Sequence, residues 1–126
     1  MTDPAEVVRS YLASFAGRDP DVIAAHVADG FVNDHASALG SPSRGRAEYR
    51  RRLPGFLEQM PELRYDVTQV VTDGGAVAAA YDLTARPGGH AVTVRGLMLC
   101  AVVDGLIARR TDYWDSLGFL RQTGQG

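Results

Sequence analysis

The chain has 126 residues, enough for one domain with a sizeable core or a smaller core around a ligand cavity, and too few for two independent cores. A 45% hydrophobic and 22% charged composition argues against disorder, and a net charge of −2 offers no bulk attraction to nucleic acid or an anionic membrane surface. No apolar stretch approaches the ~20 residues that cross a bilayer, and the first residues, Thr2 and Asp3, do not resemble a signal peptide. The single cysteine, Cys100, allows no internal disulfide and fits a reducing compartment, so a cytoplasmic protein is expected.

Asp3-Pro4-Ala5-Glu6 reads as a capped helix start, and Val7, Val8, Tyr11, Leu12 and Phe15 follow at helical spacing up to Gly17. Asp19-Pro20 repeats the signal, and Val22, Ile23, His26 and Val27 predict a short second helix closed by Gly30. Phe31 to Ala36 reads as a short strand, and Leu39-Gly40-Ser41-Pro42 as a loop. A third helix is expected from about Gly45 towards Met60, with Tyr49, Leu53, Phe56, Leu57 and Met60 inward and Pro54 kinking or interrupting it.

From Leu63 the apolar period changes from 3.6 to 2. Strands are expected over Arg64 to Thr72, Val77 to Ala85, Ala91 to Val103 and Leu106 to Trp114, with turns at Asp73-Gly74-Gly75, Arg86-Pro87-Gly88-Gly89 and Asp104-Gly105. Helices grouped before an antiparallel meander predict an α+β fold: three N-terminal helices on a strongly curved, mainly antiparallel sheet. Residues 1–126 read as a single domain with a loose tail from Gln122.

Three stretches carry a resemblance: Phe31-Val32-Asn33-Asp34-His35 followed by Gly45 and a helix, the turn Val103-Asp104-Gly105-Leu106-Ile107, and Asp112-Tyr113-Trp114-Asp115-Ser116-Leu117-Gly118-Phe119 running on to Gly124. With the element order, they make the chain resemble the SnoaL-like polyketide cyclases. These share a cone-shaped fold around an apolar pocket with nuclear transport factor two, ketosteroid isomerase and limonene epoxide hydrolase. The resemblance speaks to fold more than to reaction, because the fold hosts several chemistries and non-catalytic binders. It implies a homodimer packed through the outer sheet face, and the small apolar residues of the second and third strands fit that.

By the same resemblance Asp115 points into the cone as general acid or base, and a carboxyl walled by apolar groups would have its pKa raised towards neutrality. A strand-end aspartate can equally cap the next turn. Asp112, three residues earlier, is expected on the opposite strand face, as a surface or ion-pairing residue. His35 can hydrogen-bond a substrate carbonyl or orient Asp115, or simply satisfy backbone groups.

Asn33 matches an asparagine that helps hold water in limonene epoxide hydrolase. That enzyme has a tyrosine at the position of Phe31, and its Arg-x-Asp pair falls near Tyr81-Asp82-Leu83 here. Both departures argue against that machinery. Ketosteroid isomerase offers only a distant analogy, in which Tyr11 supplies a hydroxyl and no base is matched. Tyr11, Phe31, Tyr81, Tyr113 and Trp114 are expected substrate-pocket walls, with core or dimer packing as the plain alternative.

The cluster Arg44, Arg46, Arg50, Arg51 and Arg52 reads as a solvated helix face, with attraction of an anionic substrate as the alternative. His26, His35 and His90 show no metal-ligand spacing, and no phosphate-binding glycine loop or Gly-x-Ser-x-Gly elbow is present. The expectation is therefore cofactor-free acid–base chemistry, of cyclisation or isomerisation type, on a hydrophobic small molecule with Asp115, His35 and Asn33 at its centre. The alternatives are a non-catalytic binding or dimerisation module and an epoxide hydrolase-like enzyme.

Overall fold

A computed structural model describes residues 3–35 and 41–125. The elements run α1 (Pro4–Ser14), a 3-10 turn (Phe15–Gly17), α2 (Pro20–Ala24), β1 (Val27–His35), β2 (Ser43–Arg44) and α3 (Arg46–Gln59). They continue with β3 (Arg64–Asp73), β4 (Ala76–Ala85), a second 3-10 turn (Pro87–Gly89), β5 (Val92–Val103), β6 (Leu106–Trp114) and α4 (Ser116–Gln122). Both Asp-Pro signals act as read: Asp3 accepts from the Ala5 N–H and Asp19 from the Asp21 N–H, with proline in the first helical turn.

The six strands form one sheet in the order β2-β1-β6-β5-β4-β3. β3 to β6 are the expected antiparallel meander. β1 joins it by parallel pairing with β6, a contact between distant segments that no local pattern announces. Register shifts fall between Val27 and Val32, Val67 and Gln69, and Ala101 and Val102. Each shift bends its strand and resets which side chains face inward.

Four expectations are corrected. The second helix is shorter than expected: Val27 opens β1, and Gly30 lies inside that strand rather than closing a helix. His26 leaves the apolar stripe because its Nδ1 lies 2.9 Å from the Val22 carbonyl, satisfying an orphan acceptor of the helix end. Pro54 does not interrupt α3, which runs through it. A fourth helix follows the meander, and Gln122, expected in a loose tail, ends it; the Gln122 carboxamide bonds both the N–H and the C=O of Thr93, where β5 extends past the end of β6. Ala36, Leu39 and Gly40, assigned above to a strand end and a loop, lie outside the described residues.

The core lies between α1, α3 and the inner sheet face. Val7, Val8, Tyr11, Leu12 and Phe15 pack against alternate residues of β4 and β5, including Val77, Ala79, Met98 and Cys100. Arg18 ties the layers together: it donates to the Met60 carbonyl at 3.0 Å and also to that of Leu57, satisfying carbonyls at the end of α3. The outer sheet face keeps Leu97, Leu99, Val103 and Tyr113 exposed. Among the described residues no helix is long and apolar enough to cross a membrane.

Candidate functional site

One end of the space between α3 and the sheet stays open as a cavity of about 610 Å³. Its walls are largely apolar: Phe15, Leu53, Phe56, Met60, Tyr65, Leu83, Val94, Trp114 and Phe119. Its polar residues come mainly from neighbouring strands. β1 supplies Asn33 and His35, β6 supplies Arg110 and Asp112, and parallel register pairs Asn33 with Arg110 and His35 with Asp112. β2 adds Ser43, and β4 adds Tyr81.

Arg110 and Asp112 form a buried ion pair, with 6% and 4% of their side chains exposed and Nη2 2.8 Å from Oδ2. Tyrosine hydroxyls meet part of the hydrogen-bonding capacity that the pair leaves over. Arg110 Nη1 donates to the Tyr11 hydroxyl at 2.6 Å, and Tyr11 shares a short hydrogen bond with Tyr49. Tyr81 donates to Asp112 Oδ1 at 2.6 Å. Burial and the adjacent Asp112 carboxylate push the Tyr81 phenol far above its ordinary value, so it remains a donor.

Gly96 makes this contact possible. It pairs with Tyr81 across β4 and β5, and a Cβ there would lie 2.2 Å from the Tyr81 hydroxyl. The phenol crosses β5 through that gap to reach β6.

Burial, and then the Arg110 charge, push His35 down to about 4. The ring is neutral at pH 7 and offers one donor and one acceptor. Among the described residues Asn33 Oδ1, His35 Nδ1, Ser43 Oγ and Arg110 Nε are buried without a hydrogen-bond partner. All four belong to residues that line the cavity, although the atoms themselves are closed to solvent.

The His35 shift sets a pH dependence. The unfolded ring binds its proton near 6.5 and the folded ring near 4, so protons favour the unfolded chain between those values. Stability should rise from pH 4 to 6.5, and His35→Gln should remove about 1–2 kcal/mol of that rise after solvent screening. Urea denaturation of both proteins across this range checks it.

The structure redistributes the residues singled out above. Asn33, His35, Tyr81 and Trp114 line the cavity. Phe31 lies in the core against Tyr49, with ring centroids 4.9 Å apart, and Tyr11 is fully buried behind Arg110; neither lines the cavity. Tyr113 is 46% exposed on the outer face. Asp115 is the main correction: it is exposed and N-caps α4, accepting from the Gly118 N–H at 2.8 Å. The capping alternative weighed for it is the one found. Asp112, expected on a surface or in an ion pair, is ion-paired and buried within the cavity wall.

A signal for this was available. Arg110, Asp112 and Trp114 share one parity on β6 and Asp115 does not, so Trp114 and Asp115 could not both face inward from a regular strand. Arg110-Thr111-Asp112 places two opposite charges on one strand face, the pattern of a paired buried site. Among the described residues no three His, Cys, Asp or Glu side chains are grouped to hold a metal ion.

A SnoaL-like domain family model matches residues 8–110. Among solved structures, a Catenulispora acidiphila protein with a ketosteroid isomerase-like fold, in complex with trimethylamine, superposes with a TM-score of 0.88 at 18% identity, covering 96% of this chain and 94% of that one. A candidate SnoaL-like polyketide cyclase of Jannaschia sp. CCS1 gives 0.81 at 21% identity, covering 94% and 90%. An LEH-like epoxide hydrolase of M. tuberculosis gives 0.82 at 20% identity, covering 98% and 90%. At these identities the likeness is one of fold. No curated protein matches the chain in sequence.

Proposed function

Since the chain belongs to the SnoaL-like domain family, we propose that it is a cofactor-independent acid–base enzyme acting on a hydrophobic, polyketide- or terpenoid-like small molecule, by a cyclisation or isomerisation that begins with proton transfer at carbon. The observation that carries this reading is the Asp112 carboxylate, held by Arg110 and Tyr81 in the wall of an apolar cavity. An ionised carboxylate has about four lone-pair sites and the two bonds here use two, so Asp112 keeps capacity to accept a proton.

His35, neutral and adjacent to Asp112 in the register, serves as donor to the substrate oxygen, with Asn33 and Ser43 beside it. When Asp112 takes a proton from the carbon next to a carbonyl, the negative charge moves to the bound oxygen. The net charge beside Arg110 is unchanged, so the same guanidinium balances the site before and after transfer. The apolar walls exclude water and hold a flexible substrate in a reactive shape, worth several kcal/mol of barrier.

The test needs no knowledge of the natural substrate. In D2O the protein is expected to accelerate exchange of the α-hydrogens of 1-tetralone, followed by proton NMR; a rate equal to that of buffer plus an unrelated protein would defeat the reading. We read residues 1–126 as one domain and propose a second copy on the outer sheet face, where Leu97, Leu99 and Tyr113 lie exposed. Light scattering should then return the mass of two chains; the mass of one chain would rule the dimer out.

A further inference from the structure

The arginines of α3 and its approach are not equivalent. Arg46 lies 3.9 Å from Asp29 and Arg50 2.7 Å from Asp21, each with an acid of its own. Arg51 and Arg52 share a single acid, Glu48: Arg51 binds both of its oxygens at 2.6 Å, and Arg52 donates to one of them at 2.7 Å. Arg51 and Arg52 also line the cavity.

Arg52 falls on the cavity-facing stripe of α3, with Tyr49, Leu53, Phe56 and Gln59, where an apolar residue would otherwise extend the wall. Its Nη1 further donates to the Pro42 carbonyl at 3.1 Å and the Ser41 hydroxyl at 3.3 Å, so the guanidinium spans from the helix to the segment leading into β2. Both guanidiniums are partly open to solvent, which places them at the mouth.

The charge count is then simple. Inside, Arg110 and Asp112 cancel and His35 is neutral. At the mouth two guanidiniums face one carboxylate, leaving one positive charge without a counter-charge among the described cavity residues.

We infer that the ligand of this cavity is a monoanion, an apolar body filling the space between α3 and the sheet with a carboxylate at the mouth against Arg51 and Arg52. This rests on the reading of the cavity as a small-molecule site and adds the ligand's charge and orientation. Glu48 takes Nε and Nη2 of Arg51 and Nε of Arg52, so a ligand carboxylate would bind Arg51 Nη1 and Arg52 Nη2 and share both guanidiniums with Glu48.

The chain's one tryptophan, Trp114, lines the cavity and reports binding by fluorescence. Titration with 2-naphthoate and its uncharged counterpart 2-naphthamide is expected to show the acid binding about two- to fivefold more tightly at low salt, within the range for partly exposed ion pairs. High salt should shrink that preference. The Arg51→Gln/Arg52→Gln variant should abolish it while still binding the amide. Glu48→Gln, which removes the competing carboxylate, should widen it. Equal binding of acid and amide, or a preference that survives in the double arginine variant, would overturn this inference and leave the cavity's role standing. Failure of both probes to perturb Trp114 would overturn both.

Discussion

Asp112→Ala should lower the free energy of unfolding by about 3–5 kcal/mol, the cost of leaving a buried partner charge uncompensated. Arg110 would keep its bond to Tyr11 but lose its counter-charge, with its guanidinium still shut from water, and the Tyr81 hydroxyl would lose its acceptor. Replacing both charges, as Arg110→Met/Asp112→Leu, should cost less than the single change, because no unpaired charge is then buried. Urea denaturation at neutral pH separates the cases. A single-variant loss under 1 kcal/mol would mean that water reaches the pair freely, contrary to its burial.

Gly96→Ala should cost less but still about 1–3 kcal/mol, although it adds only one methyl group. That methyl would stand 2.3 Å from Tyr81 Cζ and 2.2 Å from its hydroxyl, and the ring cannot swing aside freely because Tyr65 packs on it with centroids 5.0 Å apart. The phenol must leave Asp112, so the variant should lose proton-transfer activity as well as stability. In a Tyr81→Ala background the same substitution should cost little, since the atoms it meets are gone. The resulting coupling energy, read from a double-mutant cycle in urea, attributes the effect to this one contact. Additive losses would assign the cost of Gly96→Ala to the β5 backbone instead.

Much of the fold was legible because local chemistry and tertiary structure agree there. The two Asp-Pro helix starts, the change of period near Leu63 and the turn at Asp104-Gly105, where both residues take positive φ of 52° and 77°, each follow from short-range sterics and hydrogen bonding. The parallel pairing of β1 with β6 was not legible, because it joins residues 77 to 80 positions apart and leaves no periodic trace.

The inward face of β6 was obscured by the irregular register opposite Ala101 and Val102. Ile107 and Arg110 both face inward although they are three residues apart, which a regular strand forbids. Counting forward from the apolar Ile107 therefore gives the wrong parity for Asp112. Counting back from Trp114, past the irregularity, gives the right one. Asp115 was misplaced for a different reason: it follows the last strand residue, where the chain already turns into α4, and its side chain is used by the Gly118 N–H. Asn33 and His35 were singled out through the family resemblance, and the regular alternation of β1 from Phe31 onward brings both to the cavity.

Which carboxylate acts in the cavity is measured most directly by hydrogen exchange into 1-tetralone. Asp112→Asn keeps the shape of the side chain and removes the base, so the accelerated exchange should fall to the background rate. Asp115→Asn keeps a good N-cap, and the rate should match the unsubstituted protein. Exchange that persists in the first variant and disappears in the second would contradict the assignment.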